Sequence, residues 1–285
     1  MAVEGFTTLA VIGAGQMGSG IAQVAATAGL IVRLIDLSPA QIESAKKGMS
    51  ASVERLVRKS LMTEESAKAT LANISYATDL QAASGCDLAI EAIVENERVK
   101  DELFARLDAL LPAHGILASN TSSIPITRMG AKTKRPDKFI GMHFMNPVPI
   151  MKLVEIIPGM ATAPETTARI IALAKAMGKQ TVTSQDFPGF IVNRVLMPMI
   201  NEAFCALMEG VASAEDIDNG MKLGTNQPMG PLTLADFIGL DTCLAILRVL
   251  HDGLGDPRYR PCPLLVKYVE AGYLGRKVKR GVYTY

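Results

Sequence analysis

The stretch Thr8-Leu-Ala-Val-Ile-Gly-Ala-Gly-Gln-Met-Gly18 decides the fold of this chain. In it an apolar run, Leu9 to Ile12, leads into a G-x-G-x-x-G array made by Gly13, Gly15 and Gly18. The first glycine permits a tight strand-to-helix turn, the second lets a pyrophosphate approach the backbone, and the third lets the helix pack closely on the strand. The helix N-terminus offers free N–H groups and a partial positive charge to the phosphates. The stretch therefore predicts a dinucleotide-binding unit.

A second apolar run, Ile31 to Ile35, ends in Asp36. A carboxylate at this distance from the glycines can bond the adenosine ribose hydroxyls and would repel a 2′-phosphate, so it predicts NAD rather than NADP. The cation Arg33 favours the opposite choice, but it lies inside the strand rather than past its end and carries less weight. The predicted cofactor-binding residues of this region are Gly13, Ala14, Gly15, Gln16, Met17, Gly18 and Asp36.

Apolar strand-like runs alternate with helix-period segments through the first part of the chain. The predicted strands lie near 8–12, 31–35, 88–93, 115–119, 139–142, 152–157 and 180–184. The predicted helices lie near 16–28, 39–59, 63–72, 96–111 and 165–177. This alternation predicts an α/β fold with a Rossmann-type, doubly wound and mainly parallel sheet. The length and helical spacing of 39–72 predict a helical hairpin inserted between the second and third strands.

The pattern changes near Asp186, beyond which strand-like alternation disappears. Helix-like runs follow at 188–208, 214–223, 230–251 and 262–272. We therefore expect two domains, an NAD-binding Rossmann domain at 1–185 and an all-helical domain for substrate and dimerisation at 186–285, with the substrate in the cleft between them. Pro188 is predicted in the first turn of a helix and Pro198 is predicted to kink that helix.

The composition argues against a nucleic-acid-binding, membrane-spanning or metal-binding protein. The chain has 285 residues and a formal net charge of +1, so no overall field recruits nucleic acid or a membrane surface. No apolar stretch approaches the roughly 18 residues of a membrane span. The four cysteines are scattered, with no C-x-x-C and no His/Cys cluster, so we expect no metal site and a reducing, cytoplasmic compartment.

Two residues in the middle of the chain indicate acid–base chemistry. His143 ends an apolar strand, and Glu155 lies within the apolar run Leu153 to Ile157. Burying an unpaired carboxylate is costly, so Glu155 needs a partner, which favours a meeting of the two side chains. Taken alone, His143 is typical of a hydrogen-bonded structural histidine, and Ser119-Asn-Thr-Ser-Ser123 is typical of a turn or helix cap.

Taken together, seven segments resemble the 3-hydroxyacyl-CoA dehydrogenases, especially the short-chain 3-hydroxybutyryl-CoA dehydrogenases, over nearly the whole chain. The segments are Gly13-Ala-Gly-Gln-Met-Gly18, Glu91-Ala-Ile-Val-Glu-Asn96, Ser119-Asn-Thr-Ser-Ser123, His143-Phe-Met-Asn-Pro-Val148, Met151-Lys-Leu-Val-Glu155, Asp186-Phe-Pro-Gly-Phe-Ile-Val-Asn-Arg194 and Gly275-Arg-Lys277.

The resemblance implies roles for individual residues. His143 and Glu155 would form a catalytic pair in which the imidazole takes the alcohol proton and the carboxylate orients it, while the hydride passes to NAD. Ser122 and Asn193 would hold substrate oxygens. The further cofactor-binding residues implied are Glu95, Lys100, Asn120, Ser122, Asn146 and Lys277.

Coenzyme A requires cationic contacts for its phosphates. Ser52, Arg55 and Lys59 are spaced to share one helix face, and the resemblance places Ser52 and Lys59 at positions that contact CoA. A solvated charged face is the alternative interpretation. The C-terminal helices carry more apolar residues than one small bundle would bury, so a homodimer through this domain is expected, as the family also favours.

Two alternatives stay open on the sequence. A related dehydrogenase could act on a free hydroxy acid or sugar acid, since the cofactor-binding half does not exclude it. A non-catalytic NAD-binding structural protein could share the fold, although it would have no need of Ser122, His143, Glu155 and Asn193 together.

Overall fold

A central sheet organises the first of two compact units in this computed structural model, which describes residues 5–285. The first unit ends at Phe187 and the second begins at Pro188. The strands of the sheet are β1 (Thr8–Ile12), β2 (Ile31–Ile35), β3 (Ile74–Ala77), β4 (Leu88–Glu91), β5 (Ile116–Ser119), β6 (Phe139–Phe144), β7 (Leu153–Pro158) and β8 (Gln180–Thr183). Their spatial order is β3-β2-β1-β4-β5-β6-β7-β8.

The sheet is parallel from β3 to β6, and the reversal comes where β7 pairs antiparallel with β6. Strand β8 then pairs parallel with β7. Strands β4, β5 and β6 are buried along their whole length, as expected when helices cover both faces of a parallel sheet. The chain crosses over from the edge strand β3 to β4, which pairs with β1, and this places the break in strand order beside the glycine-rich turn, where open α/β sheets bind ligands. The α/β Rossmann-type prediction is confirmed.

Helices of the first unit cover this sheet. They are α1 (Gln16–Thr27), α2 (Pro39–Arg58), α3 (Glu64–Ala72), α4 (Glu97–Leu110), α5 (Ile126–Gly130) and α6 (Pro164–Ala176). Polar side chains cap several N-termini, as where Asn96 accepts from the Val99 N–H at 3.2 Å. Helices α2 and α3 form the predicted hairpin between the second and third strands, and both contact α1.

The second unit is helical, with its own apolar core. Its helices are α7 (Val192–Met208), α8 (Ala214–Gly224), α9 (Pro231–Ile238), α10 (Leu240–Leu254) and α11 (Pro263–Glu270). The core includes Phe204, Leu232 and Leu247. Two buried carboxylates form hydrogen bonds with the C-terminal residues. Asp236 accepts from the Val282 and Tyr283 N–H groups, and Asp218 accepts from the Tyr283 hydroxyl.

Several element predictions were wrong. Strand β3 was not predicted, because a four-residue edge strand shows too little alternation to be detected. The helix predicted at 230–251 is broken at Gly239, whose φ of +105° is incompatible with a helix. The helix predicted from 188 begins at Val192: Gly189 and Phe190 have φ of +77° and +49°, so Pro188 lies in a turn rather than in a first helical turn.

Within residues 5–285, no helix combines the length and apolarity that crossing a bilayer requires. The same residues hold no group of three or more His, Cys, Asp and Glu side chains arranged for a metal ion. All four cysteines are free thiols.

Candidate functional site

The glycine-rich turn after β1 is closely packed at Gly13 and Gly18 and open to a ligand at Gly15. Gly13 has φ +104°, and a Cβ there would lie 2.5 Å from the Ala92 carbonyl oxygen. A Cβ on Gly18 would lie 1.7 Å from the Gly13 oxygen, so α1 packs tightly on the turn. A Cβ on Gly15 would meet nothing within 4 Å, and this glycine begins α1 without a side-chain cap. The turn thus offers an open face and free first-turn N–H groups, which suit a pyrophosphate.

Asp36 lies at the carboxyl end of β2, beside this turn. Its Oδ2 accepts from the Ala14 N–H at 2.8 Å and its Oδ1 from the Ser38 N–H at 2.9 Å. A carboxylate has about four lone-pair sites, so capacity remains for the ribose hydroxyls. The competing cation, Arg33, donates to the carbonyls of Ala82 and Ser84, which occupy its guanidinium inside the fold. This arrangement fits NAD better than NADP.

A cleft of about 510 Å³ adjoins Asp36 and the glycines. Its walls include residues that sequence reasoning missed, among them Leu37, Leu80, Leu103 and Arg106. Leu37 is 80% exposed directly after Asp36. The apolar residue directly after Asp36 is the sequence signal that could have located this cleft, because an adenine ring needs an apolar slot next to the ribose-binding acid.

His143 and Glu155 face each other across the antiparallel pair β6–β7, where they are register partners. The His143 Nδ1 lies 2.6 Å from the Glu155 Oε2. Both side chains are buried, the glutamate completely. An ionised carboxylate can only accept, so Nδ1 carries the hydrogen and Nε2 is the nitrogen with a lone pair. The structure therefore brings together the pair that the sequence predicted would meet, in the geometry of a base and its orienting acid.

Glu95 organises the Ser119–Ser123 segment that follows β5. Its Oε1 accepts from the Thr121 hydroxyl at 2.5 Å, the Ser122 N–H at 3.0 Å and the Ser123 hydroxyl at 2.9 Å. Burial acts to raise the pKa of this carboxyl, but the Lys100 ammonium and the hydrogen bonds outweigh it and hold the pKa below its ordinary value. Glu95 thereby fixes the backbone of Ser122.

Lys100 is 1% exposed and lies between two carboxylates. Its Nζ is 2.7 Å from the Glu91 Oε1 and 2.8 Å from the Glu95 Oε2. Glu91 also accepts from the Ser119 hydroxyl at 2.6 Å and the Ile93 N–H at 2.7 Å. Sequence reasoning named Lys100 but assigned no role to Glu91. The signal was present, since Glu91 ends an apolar strand just as Glu155 interrupts one.

Asn120 directly follows β5, and Asn146 lies two residues past the end of β6. The Asn120 Oδ1 accepts from the Phe144 N–H at 2.9 Å, which ties the end of β5 to β6 next to the histidine. Asn146 lines a second cleft, of about 390 Å³, together with Gln16 and Ser52. One residue predicted for CoA, Ser52, therefore shares this opening with four predicted for the cofactor, Ala14, Gly15, Gln16 and Asn146.

The remaining predicted residues are described within their own units. Arg55 is exposed on α2, and Lys59 is exposed one residue past the end of that helix. In the second unit, Asn193 is buried in the first turn of α7, and the Lys277 Nζ lies 2.5 Å from the Asp241 Oδ1. Met17 is half-buried and packs against the core of the sheet.

Comparison with known proteins identifies the family. A model of the 3-hydroxyacyl-CoA dehydrogenase NAD binding domain matches residues 8–187, and a model of the C-terminal domain of the same enzymes matches residues 189–285. A probable 3-hydroxybutyryl-CoA dehydrogenase of Bacillus subtilis is 58% identical over 275 residues, 96% of each chain. A 3-hydroxybutyryl-CoA dehydrogenase of Bradyrhizobium diazoefficiens is 56% identical over 275 residues, 96% of this chain and 94% of that one.

Among solved structures, an (S)-3-hydroxybutyryl-CoA dehydrogenase from Ralstonia eutropha superposes with a TM-score of 0.95 at 49% identity, covering 98% of this chain and 99% of that one. The matched NAD binding domain and the open glycine turn agree that NAD is the cofactor. The chain is an NAD-dependent oxidoreductase, and it belongs to the 3-hydroxyacyl-CoA dehydrogenase family.

Proposed function

We propose that this enzyme interconverts (S)-3-hydroxybutyryl-CoA and acetoacetyl-CoA, with His143 as general base and Glu155 as its orienting partner. The proposal is carried by the 2.6 Å contact between the His143 Nδ1 and the Glu155 Oε2 in a chain of this family. The substrate follows relatives named as 3-hydroxybutyryl-CoA dehydrogenases at 58% and 56% identity.

Oxidation of the alcohol requires removal of a proton from oxygen. Glu155 holds the Nδ1 hydrogen, so the Nε2 lone pair of His143 accepts the hydroxyl proton, and the buried carboxylate stabilises the imidazolium that results. When bound, NAD would supply the acceptor for the hydride that leaves the carbon bearing this hydroxyl. In the reverse direction His143 returns the proton to the carbonyl oxygen.

Other side chains position the reactants. Ser122, whose backbone Glu95 fixes, and Asn193 hold substrate oxygens by hydrogen bonds. Gly13 to Gly18 and Asp36 hold the pyrophosphate and adenosine ribose of the cofactor. Toward the nicotinamide end we assign Glu95, Lys100, Asn120, Ser122, Asn146 and Lys277, with Lys100 acting through the Glu95 carboxylate that it contacts.

The CoA moiety is assigned to one face of α2. Ser52 opens onto the 390 Å³ cleft, and exposed cations follow at Arg55 on the same helix and at Lys59 directly after its end. Phosphates are bound well by such cations because the interaction is charge-assisted. Charge reversal in Lys59→Glu should raise KM for acetoacetyl-CoA and leave the Kd of NADH unchanged; an equal effect on both would contradict the assignment.

A decisive assay follows NADH absorbance, which falls when acetoacetyl-CoA or free acetoacetate is reduced by NADH and rises when a sugar acid is oxidised by NAD⁺. We expect turnover with the thioester and a kcat/KM lower by about a hundredfold or more for the free acids, since they lack the CoA contacts. Faster turnover of a free acid would favour the related dehydrogenase instead. No turnover of any substrate, with NADH binding intact, would support a structural protein.

We further propose a homodimer through the second unit, in the cytoplasm. The second unit exposes large apolar side chains that a single chain leaves in water: Val195, Met208, Val211, Leu223 and Phe237. A symmetric dimer would bury such a face. The four free thiols suit a reducing compartment.

A further inference from the structure

The carboxyl ends of β4 and β5 lie in the half of the sheet that does not bind the adenosine part of the cofactor. The glycine turn after β1 and Asp36 after β2 take the pyrophosphate and the adenosine. A Rossmann sheet binds one nucleotide with each half, so the nicotinamide half belongs beyond β1, where β4 ends at Glu91 and β5 at Ser119.

A charged triad, Glu91, Lys100 and Glu95, lies at this edge. Its single ammonium contacts both carboxylates, at 2.7 and 2.8 Å. The Glu91 and Lys100 side chains are 0% and 1% exposed, and that of Glu95 is 36% exposed. The other donors to the two carboxylates, from Ser119, Ile93, Thr121, Ser122 and Ser123, are neutral. Two carboxylates and one ammonium leave a net charge of −1, and solvent reaches it only at Glu95 because Glu91 and Lys100 are buried.

We propose that this triad makes Glu91 a specificity-determining residue, because its charge biases cofactor binding toward NAD⁺ over NADH. The nicotinamide ring carries a positive charge in NAD⁺ and none in NADH. A fixed negative charge held at low dielectric therefore lowers the free energy of the first complex and not of the second. Glu91 acts on the cofactor through the triad rather than by touching it.

The primary test is Glu91→Gln, studied by NADH fluorescence titration and by calorimetric titration of NAD⁺, without substrate. The amide oxygen can replace Oε1 toward Lys100 and Ile93, and the amide nitrogen can donate to the Ser119 hydroxyl, so the shape of the network is kept. We expect the Kd of NAD⁺ to rise about three- to tenfold and that of NADH to change less than about twofold.

A double variant separates charge from structure. Glu91→Gln with Lys100→Met leaves Glu95 alone and restores the net charge of −1, so the ratio of the two Kd values should return to within about twofold of the wild type. Glu95→Gln removes the same charge from the other end of the triad and should shift the ratio in the same direction as Glu91→Gln. Glu97→Gln is the matched control, because Glu97 is half-buried at the start of the same helix and is paired with Arg128 rather than with the triad.

Three results would overturn the proposal: equal weakening of both cofactor forms in Glu91→Gln, a double variant that shifts the ratio as far as the single one, or a Glu97→Gln effect as large as that of Glu91→Gln. If Glu91→Gln does not fold, the Glu95→Gln ratio decides the matter. The inference rests on NAD binding and not on the His143–Glu155 pair, so failure of either one leaves the other standing.

Discussion

At the scale of single residues, Glu155 shows how a buried charge can be anticipated from sequence. A carboxylate inside the apolar strand β7 is completely buried, and its cross-strand partner is His143 at 2.6 Å. The energetic cost of leaving such a group unpaired predicted this contact. The same reasoning applies to Glu91, yet its partner Lys100 lies on a helix, and no strand register could indicate it.

The first prediction concerns the Glu155→Gln variant. Loss of the carboxylate removes the counter-charge of the imidazolium, so we expect kcat for oxidation to fall by about a hundredfold. Measurements of kcat for the wild type and the variant, at saturating substrate and NAD⁺, test this; an unchanged kcat would remove Glu155 from its role.

At the scale of elements, two glycines of the β1–α1 turn have different roles: Gly15 leaves room for the ligand, and Gly18 lets the helix pack on the turn. In Gly15→Ala the new methyl group meets no protein atom, so thermal stability should stay within about 1 °C while NADH binding weakens. In Gly18→Ala the methyl group collides with the Gly13 oxygen, so both stability and binding should fall, the free energy of unfolding by about 1–3 kcal/mol or more. Thermal melts and NADH titration measure both, and equal loss of stability in the two variants would contradict this division.

The segment after β5 gives a prediction with a defined pH dependence. Glu95 has a pKa below its ordinary value of 4.5, so its bonds to Thr121, Ser122 and Ser123 stabilise the fold above that pH. This stabilisation is lost as the pH falls through the lowered value. The Tm of the wild type should therefore exceed that of Glu95→Gln at pH 7, and the difference should shrink below about pH 4.5. A difference independent of pH would contradict this account.

Periodicity predicted the long elements well and the breaks between them poorly. Strands such as β1 and β2 were found at their exact limits, since flanking turn residues bound each apolar run. The break at Gly239 was missed because apolar residues continue at helical spacing on both sides of it, and only the local backbone conformation shows that the chain turns. The short strand β3 was missed because it depends on pairing with β2.

At the scale of the whole molecule, the excess of apolar residues in the C-terminal helices predicts a homodimer. Sedimentation analysis should give a mass about twice that of the 30.4 kDa chain. Val195→Glu combined with Leu223→Glu, at residues 68% and 84% exposed in the second unit, should favour the monomer. Met160→Glu, at a residue 90% exposed in the first unit, is the control and should leave the dimer intact. A monomeric wild type would contradict the proposal.

The resemblance to one family covers nearly the whole chain, so the cofactor and the reaction class could be predicted from the sequence. Two features were not predicted: the apolar slot beside Asp36, whose walls come from distant segments, and the charge balance around Lys100. The slot joins residues far apart in sequence, whereas Glu91, Glu95 and Lys100 lie within ten residues of one another and pair because the end of β4 meets the first turn of α4.

The central claim is that His143 carries the proton while Glu155 holds the ring. It is tested most directly by kcat for acetoacetyl-CoA reduction in His143→Gln, with the exposed His114→Gln as matched control and NADH titration to verify an intact cofactor site. The account predicts a fall of about a hundredfold to ten-thousandfold in His143→Gln and normal turnover in His114→Gln. Near-normal turnover in His143→Gln, with NADH binding unchanged, would contradict it.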